Sequence, residues 1–443
     1  MSQTFYIKTY GCQMNQYDSE KINQLLRNIG FRQTKDVENS NLAILNTCHI
    51  REKASEKMYS DLGRLSKFKE IKKNNGIKMK IIVTGCVAQA EAEEILKRSK
   101  SVDFILGPQN FHVLPKILKQ DKKMFNEFLP KEKFKSLAQL KPDSNKVSKM
   151  VTIQEGCDKF CSFCVVPYTR GAEYSRPVEE INAEVINLSK LGAKEITLLG
   201  QNVSSYSSEI FSIKKNQKVG LSFLLRSLSK IQELRRLRYV TSHPNDIDEE
   251  LIFEHKSNPK VMPFLHLPVQ SGSDKILMEM NRKHTRNSYL NLIKMFRIHV
   301  PDIAFSSDFI VGYPGETDLD FEMTLDLVEK VGFASSYSFK FSPRPGTKSS
   351  IKKKNVSDKI ASARLKKLQE VLNFQQRVFN EKIIGETVEI LIDSKGKKQN
   401  QFVGRTPHLQ PVHIFSKKNI IGQLVKVYVE SLTSYSFHGK ILS

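Results

Sequence analysis

This chain of 443 residues contains no tryptophan and only six cysteines, and its 47 Asp and Glu are few beside 70 Lys and Arg. It also lacks any apolar run near the roughly twenty residues that cross a bilayer. A strand pattern begins within a few residues of Met1, which leaves no room for a secretory signal peptide. These absences predict a cytoplasmic protein without a membrane span, and its 39% hydrophobic residues suffice for packed cores.

The excess of basic residues gives a formal net charge of +23, which favours a polyanionic partner. The excess is large near the end of the chain, where residues 348–443 contain 18 Lys and Arg against 7 Asp and Glu. A generally lysine-rich composition, which would make every surface basic, is the alternative interpretation, because charge alone carries no information on specificity.

Three cysteines, Cys157, Cys161 and Cys164, form the pattern C-x3-C-x2-C. Three thiolates on a cubic 4Fe–4S cluster leave one iron open to a non-protein ligand. A structural zinc is the alternative, but it requires four ligands, and the sequence has no second Cys-x2-Cys pair and no His-x3-His. The spacing favours an open iron–sulfur cluster, and grouped cysteines in a long chain disfavour disulfides.

The remaining cysteines, Cys12, Cys48 and Cys86, each follow a predicted strand, and helical patterns follow them at 19–29, 52–69 and 89–98. Alternating strands and helices predict a parallel sheet, whose strands all end at one edge. We therefore expect these three thiols to converge and to hold a second 4Fe–4S cluster. Three unrelated buried thiols are the alternative, because free cysteine is common in protein cores.

The patterns predict an α/β protein with three units. The first is a parallel α/β domain, the second is a partial (β/α)6 barrel, and the third is a small five-stranded β-barrel of a kind that often binds RNA. A lysine-rich, weakly periodic segment separates the first two units and is predicted as a linker. The predicted bounds are 1–120 for the first domain, 121–148 for the linker, 149–374 for the (β/α)6 unit and 377–443 for the β-barrel.

Polar segments follow the strands of the second unit, at the carboxyl-end rim where β/α barrels carry their sites. We expect this rim to bind a cofactor through Gln201, Ser242, Gln270 and Asp308. Each of these segments alone is an ordinary polar turn, and it is their gathering on one rim that indicates a site. His243 has no acid or nucleophile beside it in the sequence, so no general-base role is expected.

Four segments, Tyr10–Asn15, Asn46–Cys48, Gly85–Cys86 and Gly156–Gly171, resemble the methylthiotransferases of the radical S-adenosylmethionine (SAM) superfamily. The resemblance covers nearly the whole chain and implies a methylthiotransferase domain, a radical SAM domain and a carboxy-terminal TRAM domain. It implies that the C-x3-C-x2-C cysteines hold the radical SAM cluster, that the other three hold an auxiliary cluster, and that Phe163 lies against the SAM adenine.

The activity implied by this resemblance is the addition of a methylthio group to carbon 2 of an isopentenylated adenosine beside the anticodon of tRNA. One SAM would supply the methyl group and another the 5′-deoxyadenosyl radical. The implied partners are a tRNA anticodon stem-loop and an electron donor such as flavodoxin or ferredoxin, with the enzyme acting as a monomer. The chain departs from the family at the linker and at 407–413, where many members carry an Asn-Arg pair.

Three alternatives remain open. The first two are a methylthiotransferase that modifies a ribosomal protein side chain and one that modifies another tRNA adenosine. The Gln-Met-Asn after Cys12, the Pro-Tyr-Thr-Arg after Cys164 and the basic carboxy-terminal unit argue against the ribosomal protein. The third is a non-catalytic RNA-binding protein with a structural cluster, which would normally use four cysteines.

Overall fold

The amino-terminal unit is a parallel sheet covered by helices. The computed structural model describes residues 3–49, 52–118, 123–140, 146–211, 216–353, 355–434 and 436–442. Within these ranges the sheet has six strands in the order β2-β1-β3-β4-β5-β6. They are Thr4–Thr9 (β1), Arg32–Gln33 (β2), Leu42–Thr47 (β3), Lys80–Gly85 (β4), Phe104–Leu106 (β5) and Met124–Phe125 (β6). All six residues of β3 are buried, because a central parallel strand is covered on both faces.

Helices on the two faces of this sheet close the first unit. They are Gln13–Asn28 (α1), Glu52–Asn74 (α2), Cys86–Ala90 (α3), Ala92–Arg98 (α4), Leu114–Ile117 (α5) and Pro130–Ala138 (α6). The helix predicted from residue 19 begins at Gln13, directly after Cys12. The helix predicted over 89–98 is two helices, and Cys86 itself is the first residue of α3. Two of the cysteines are therefore placed at helix amino termini.

The predicted linker differs most from the structure. Its described residues include β6, which pairs in parallel with β5, and α6, whose Phe134 and Leu137 are buried in the apolar core of the first unit. Residues 121–122 and 141–145 of this segment lie outside the described residues. The segment extends the first unit, because its few apolar side chains are enough to bury one face of a short helix.

The second unit contains the six predicted strands, arranged as two three-stranded parallel sheets in the described chain. The first sheet consists of Ser148–Thr152 (β7), Glu195–Leu199 (β10) and Arg236–Tyr239 (β13). The second consists of Phe264–His266 (β14), Ala304–Val311 (β15) and Ser335–Lys340 (β16). Two antiparallel strand pairs accompany them: Gln154–Glu155 (β8) with Tyr174–Ser175 (β9), and Ser207–Phe211 (β11) with Asn216–Gly220 (β12).

Helices cover the outside of this partial barrel. They are Val166–Arg170 (α7), Val178–Lys190 (α8), Leu221–Ser229 (α9), Glu249–Ser257 (α10), Asp274–Glu279 (α11), Arg286–His299 (α12), Asp318–Val331 (α13) and Asp358–Glu381 (α14). Local sequence sets their ends: a capping box at Thr317 begins α13, and Gly332 ends it in the left-handed conformation. One apolar core between these helices and both sheets includes Leu198, Leu237 and Phe309, each fully buried.

The third unit is a closed five-stranded barrel in the order β17-β18-β19-β21-β20. Its strands are Thr387–Lys395 (β17), Gln401–Arg405 (β18), Pro411–Phe415 (β19), Leu424–Leu432 (β20) and Phe437–Ile441 (β21). The predicted gap between the second and third units, at 374–377, falls inside α14, which runs on to Glu381. The domain bounds at 120, 149, 374 and 377 stay predictions.

Two buried arginines of β13 fix the small barrel against the second unit. Arg236 donates to the carbonyls of Arg405 (2.6 Å) and Glu389 (3.1 Å). Arg238 donates to the carbonyls of Pro407 (2.7 Å) and Thr406 (3.1 Å), and it pairs with Glu195. Hydrogen bonds from charged groups contribute about 1.5–3 kcal/mol each, so these bonds hold the small barrel firmly against the second unit. No helix in the described ranges combines the length and apolar composition needed to cross a membrane.

Candidate active site

The three dispersed cysteines follow neighbouring parallel strands. Cys12 comes after β1, Cys48 after β3 and Cys86 after β4, and β3 lies between the other two strands. The loops approach closely: Gly11 has φ +97°, and a Cβ at this position would overlap the Cys48 side chain, so glycine is required there. The structure therefore places these thiols at one edge of the sheet, as the sequence predicts.

Asn15 ties two of these cysteine loops together. Its Nδ2 donates to the carbonyls of Tyr10 (2.9 Å) and Thr47 (2.8 Å), which precede Cys12 and Cys48. Asn46 returns a hydrogen bond to the Asn15 carbonyl at 2.8 Å. Both asparagines are buried, so these bonds are protected from water and hold the loops in a fixed geometry.

The C-x3-C-x2-C loop is anchored at both ends and in the middle. Gly156 has φ +84° and packs so tightly on the Ala172 carbonyl that a Cβ would overlap it. The Cys157 N–H donates to the Gly171 carbonyl at 3.2 Å, and the Cys164 N–H donates to the Cys161 carbonyl at 2.9 Å. Between them, the Ser162 N–H donates to the Met280 carbonyl at 2.9 Å. The loop is preorganised by backbone bonds, which leaves the thiols free to ligate metal.

Burial and nearby charges set the protonation of the thiols. Burial raises the pKa of Cys157 to about 11 and that of Cys164 to about 12. A hydrogen bond with Cys48 lowers the pKa of Cys12 to about 6. The Arg282 guanidinium lies 3.5 Å from the Cys161 sulfur, so a cation is placed beside one candidate ligand. Because metal ligation requires thiolates, protons leave these cysteines when metal binds.

The rim residues predicted to bind a cofactor differ in whether they already have hydrogen-bond partners within the protein. Ser242 is buried, and within the described part of the chain its hydroxyl has no hydrogen-bond partner. Asp308 lines a cavity and lies 3.5 Å from His266. Gln201 already accepts the Gly156 N–H at 2.7 Å, so it positions the cysteine loop. Gln270, at φ +77°, is bonded through its backbone to β15.

Phe163 packs in a small apolar cluster beside the cysteine loop. Phe163 and Ile310 are partly buried there and pack against the buried side chains of Ile276, Met280, Tyr313 and Phe341. Its predicted contact with an adenine is compatible with this place, and it stays a prediction. The Nε of Arg282 is buried without a partner among the described residues. An unsatisfied buried donor beside the cysteines, like the free Ser242 hydroxyl, is what a polar cofactor would use.

A cavity of about 1470 Å³ joins all three units. Cys12 and Cys48 line it from the first unit, and the β-strands of the second unit contribute Met150, His266 and Asp308. The small barrel contributes Arg405, His408, Leu409, Pro411 and Phe437. Its volume exceeds that of a typical small-molecule site, so the cavity can take a nucleotide and its flanking chain.

Each of the three units of the chain matches a known protein family. Residues 4–107 match the uncharacterized protein family UPF0004, residues 151–328 match the Radical SAM superfamily, and residues 381–442 match the TRAM domain. The tRNA-2-methylthio-N(6)-dimethylallyladenosine synthase of Rickettsia prowazekii is 49% identical over 450 residues, covering 100% of both chains. The protein of the same name from Rickettsia felis is 48% identical over 455 residues, again covering 100% of both.

The chain belongs to the tRNA-2-methylthio-N(6)-dimethylallyladenosine synthase family. This confirms the methylthiotransferase resemblance and the enzyme class predicted from the sequence. The three predicted architectures are also confirmed: a parallel α/β unit, a partial radical SAM barrel and a closed TRAM barrel.

Solved structures support the fold of this synthase family member. The radical SAM methyltransferase TsrM from Kitasatospora setae, with cobalamin and a [4Fe-4S] cluster bound, aligns with a TM-score of 0.57 at 13% identity over 79% of this chain and 74% of that chain. OxsB, a cobalamin-dependent SAM radical enzyme with SAM bound, aligns at 0.52 and 12% identity over 86% and 56%. At these identities the likeness shows the fold alone.

The sequence did not identify the inner lining of the barrel in this family member. His266 and Phe264 line the cavity from β14, and Ser335, Tyr337 and Phe339 line it from β16. Each set alternates in steps of two, as side chains on one face of a strand do. The alternation was therefore readable in the sequence, but the face that points inward depends on barrel closure.

The zinc alternative receives no geometric support. The described residues contain no group of three or more His, Cys, Asp or Glu side chains placed to hold one metal ion, whereas a structural zinc draws four ligands around one point. Three cysteines in each set are the number of thiolates that an open 4Fe–4S cluster uses.

Proposed function

We propose that this enzyme adds a methylthio group to carbon 2 of an isopentenylated adenosine next to the anticodon of tRNA. The observation that carries the proposal is the shared cavity, which brings two cysteines of the first unit to the lumen of the radical SAM barrel and to the TRAM barrel. Full-length relatives at 49% and 48% identity carry the name of this activity.

The cofactors of the proposal are SAM and two 4Fe–4S clusters. Cys157, Cys161 and Cys164 would hold the radical SAM cluster, and the other three cysteines the auxiliary one. When bound, these groups supply the radical, the methyl group and the sulfur chemistry. Ser242 and Arg282, each with a buried polar atom that has no partner among the described residues, are the side chains that we propose to bind SAM.

The protein's own part is to take in the base and exclude water. An unpaired anticodon-loop base can leave its stack and enter a protein pocket, where aromatic side chains bind its faces. Phe264, Tyr337 and Phe339 line the cavity and supply such faces, and His266 and Asp308 supply polar contacts. Holding the base at a fixed distance from the reacting groups converts an encounter into an intramolecular step.

The remaining partners are proposed by the same family relationship. An electron donor such as a flavodoxin or ferredoxin would reduce the radical SAM cluster. The enzyme would work as a monomer in the cytoplasm, and the exposed lysines of the TRAM barrel would contact the phosphates of the anticodon stem-loop. Lys397, Lys398, Lys417 and Lys418 are all exposed in loops between its strands.

The iron content of the enzyme checks the cofactor assignment. Protein reconstituted without oxygen should bind about eight irons per chain, because two sets of three thiolates each hold one cube. Replacing Cys157, Cys161 and Cys164 together by alanine should leave about half, measured by iron and sulfide analysis. A stoichiometric content of zinc in place of iron would contradict the assignment.

The charged loops of the TRAM barrel should govern tRNA affinity. Lys417→Gln with Lys418→Gln should weaken anticodon stem-loop binding and lower the slope of log K against log salt by roughly one per lost contact. The matched control is Lys73→Gln with Lys78→Gln, which removes the same charge from exposed positions of the first unit. An equal change in both pairs would show that only net charge matters.

A direct assay separates this function from its alternatives. The reconstituted enzyme is incubated with SAM, a reductant and one of three substrates: an isopentenylated stem-loop, the unmodified stem-loop or ribosomal protein. We expect methylthiolation of the isopentenylated stem-loop alone. Product only on the unmodified adenosine, or only on the protein, would favour another methylthiotransferase activity.

A further inference from the structure

Four charged side chains form a buried cluster where the first and second units meet. The junction cluster consists of Asp18, Lys133, Glu155 and Arg170, and none of these side chains is more than 3% exposed. Lys133 Nζ lies 3.0 Å from the Glu155 carboxylate and 3.3 Å from that of Asp18. Arg170 lies 2.6 Å from Glu155 and 2.8 Å from Asp18. Two cations and two anions alternate, so the cluster is neutral as a whole.

Three of the four members of the junction cluster lie next to one of the two cysteine sets in the chain. Asp18 stands on α1, the helix that starts directly after Cys12. Glu155 is separated from Cys157 only by Gly156, and Arg170 ends α7, the helix that follows Cys164. The cluster therefore bridges the two loops that carry the candidate metal ligands.

Arg170 extends this bridge to all three auxiliary cysteines. Its Nη2 donates to Asn15 Oδ1 at 3.2 Å, and Asn15 fixes the loops before Cys12 and Cys48. Arg170 ends α7, which packs against α3, the helix that begins with Cys86, and its charge acts on the Cys86 thiol. One guanidinium thus contacts the auxiliary set on one side and the carboxylate before Cys157 on the other.

Lys133 is the member that nothing in the sequence indicated. It lies on α6, in the segment predicted as a linker, and its ammonium group is fully buried. Without it, Arg170 would face two carboxylates alone, and the site would carry an uncompensated negative charge. Burying charges is costly unless they are paired, and in some proteins buried polar or ionic groups fix one arrangement of the parts that they join.

We propose that the junction cluster is a positioning device that holds the two cysteine sets at one fixed separation, with Lys133 as its closing member. This inference rests on the proposed function, because it assumes that both sets hold clusters. A substrate radical must meet the sulfur donor before it is quenched, and a displacement of about 1 Å can cost on the order of a hundredfold in rate. Loosening the junction therefore uncouples SAM cleavage from methylthio transfer.

The test uses the full-length reconstituted enzyme and the variant Lys133→Met. We expect iron content and SAM binding to stay at the wild-type level, while 5′-deoxyadenosine formed per methylthiolated product rises at least about tenfold. Pulsed electron paramagnetic resonance should show a broader distance distribution between the two reduced clusters. Lys133→Arg, which keeps the charge, should restore most of the coupling. Lys135→Met, on an exposed face of the same helix, is the matched control.

A second variant distinguishes positioning from charge neutralisation. Lys133→Met with Asp18→Asn leaves Arg170 and Glu155 as a balanced pair, so the buried charge is again neutral. If the cluster positions the units, this double variant stays uncoupled; wild-type coupling in it, or in Lys133→Met alone, would overturn the inference. Failure of the proposed function is separate, because the wild-type enzyme would then give no methylthiolated product at all.

Discussion

Replacing Cys161 by alanine should lower the rate of 5′-deoxyadenosine formation at least about a thousandfold. Residues that act as one catalytic unit lose their function together when one of them is removed. Cys161 is buried in the middle of the anchored loop, so no exposed side chain can replace its thiolate. The measurement is chromatography of SAM cleavage products under single-turnover conditions with dithionite. Methylthiolated product disappears with it, since the radical is required to remove the hydrogen.

The Cys161→Ala result has one matched control and one contradicting outcome. Cys48→Ala removes a thiolate from the other set and should retain SAM cleavage, which would show that the loss of one such thiolate does not by itself unfold the enzyme. Wild-type rates of 5′-deoxyadenosine formation in Cys161→Ala would show that the C-x3-C-x2-C loop does not hold the radical-generating cluster.

Replacing Cys48 by alanine should separate the two half-reactions. Cys48 is 1% exposed and lies against Gly11, so its replacement removes a proposed ligand of the auxiliary cluster without altering the C-x3-C-x2-C loop. We expect 5′-deoxyadenosine to form while methylthiolated product falls at least about a hundredfold, because the sulfur donor site is lost. The product is measured by mass spectrometry of digested stem-loop RNA.

The interpretation of Cys48→Ala depends on cavity geometry. Cys48 lines the same cavity as side chains of β14 and β16, so its replacement acts at the place where the base is proposed to bind. Product at the wild-type level in Cys48→Ala would contradict the auxiliary-cluster assignment. It would support the alternative interpretation, in which Cys12, Cys48 and Cys86 are three unrelated buried thiols.

The strands that carry the cysteines were predictable from local patterns. Apolar runs such as Leu42–Thr47 are fully buried and have no competing helical period. Because parallel strands end at one edge, the meeting of Cys12, Cys48 and Cys86 follows from their places after three strands. Both conclusions depend on short-range sequence alone.

Helix α6 was not predicted from the sequence, for a physical reason. Helix α6 shows only one apolar repeat, Phe134 and Leu137, and its third buried side chain is Lys133. A lysine in a sequence is expected to be exposed to solvent unless its ion-pair partners are known. Those partners, Asp18 and Glu155, lie 115 and 22 positions away in the chain, so only the folded structure brings them together.

The same reason limited the prediction of the active site. Residue type and spacing identified the six cysteines, whereas the role of Gln201 is decided by its hydrogen bond to Gly156, 45 positions away. The inward face of β16, with Tyr337, depends on how the barrel closes. Residue type alone can propose which side chains perform the chemistry, whereas the contacts that position them appear only in the folded structure.

The most direct test is nucleoside mass spectrometry of tRNA from cells that lack this protein, compared with cells that express it. The proposed function predicts that the methylthiolated isopentenyladenosine is absent from the deleted strain and that isopentenyladenosine accumulates in its place. Expression of the wild-type chain should restore the methylthio group, and expression of the Cys48→Ala chain should not. An unchanged level of the methylthiolated nucleoside in the deleted strain would contradict the function proposed for this enzyme.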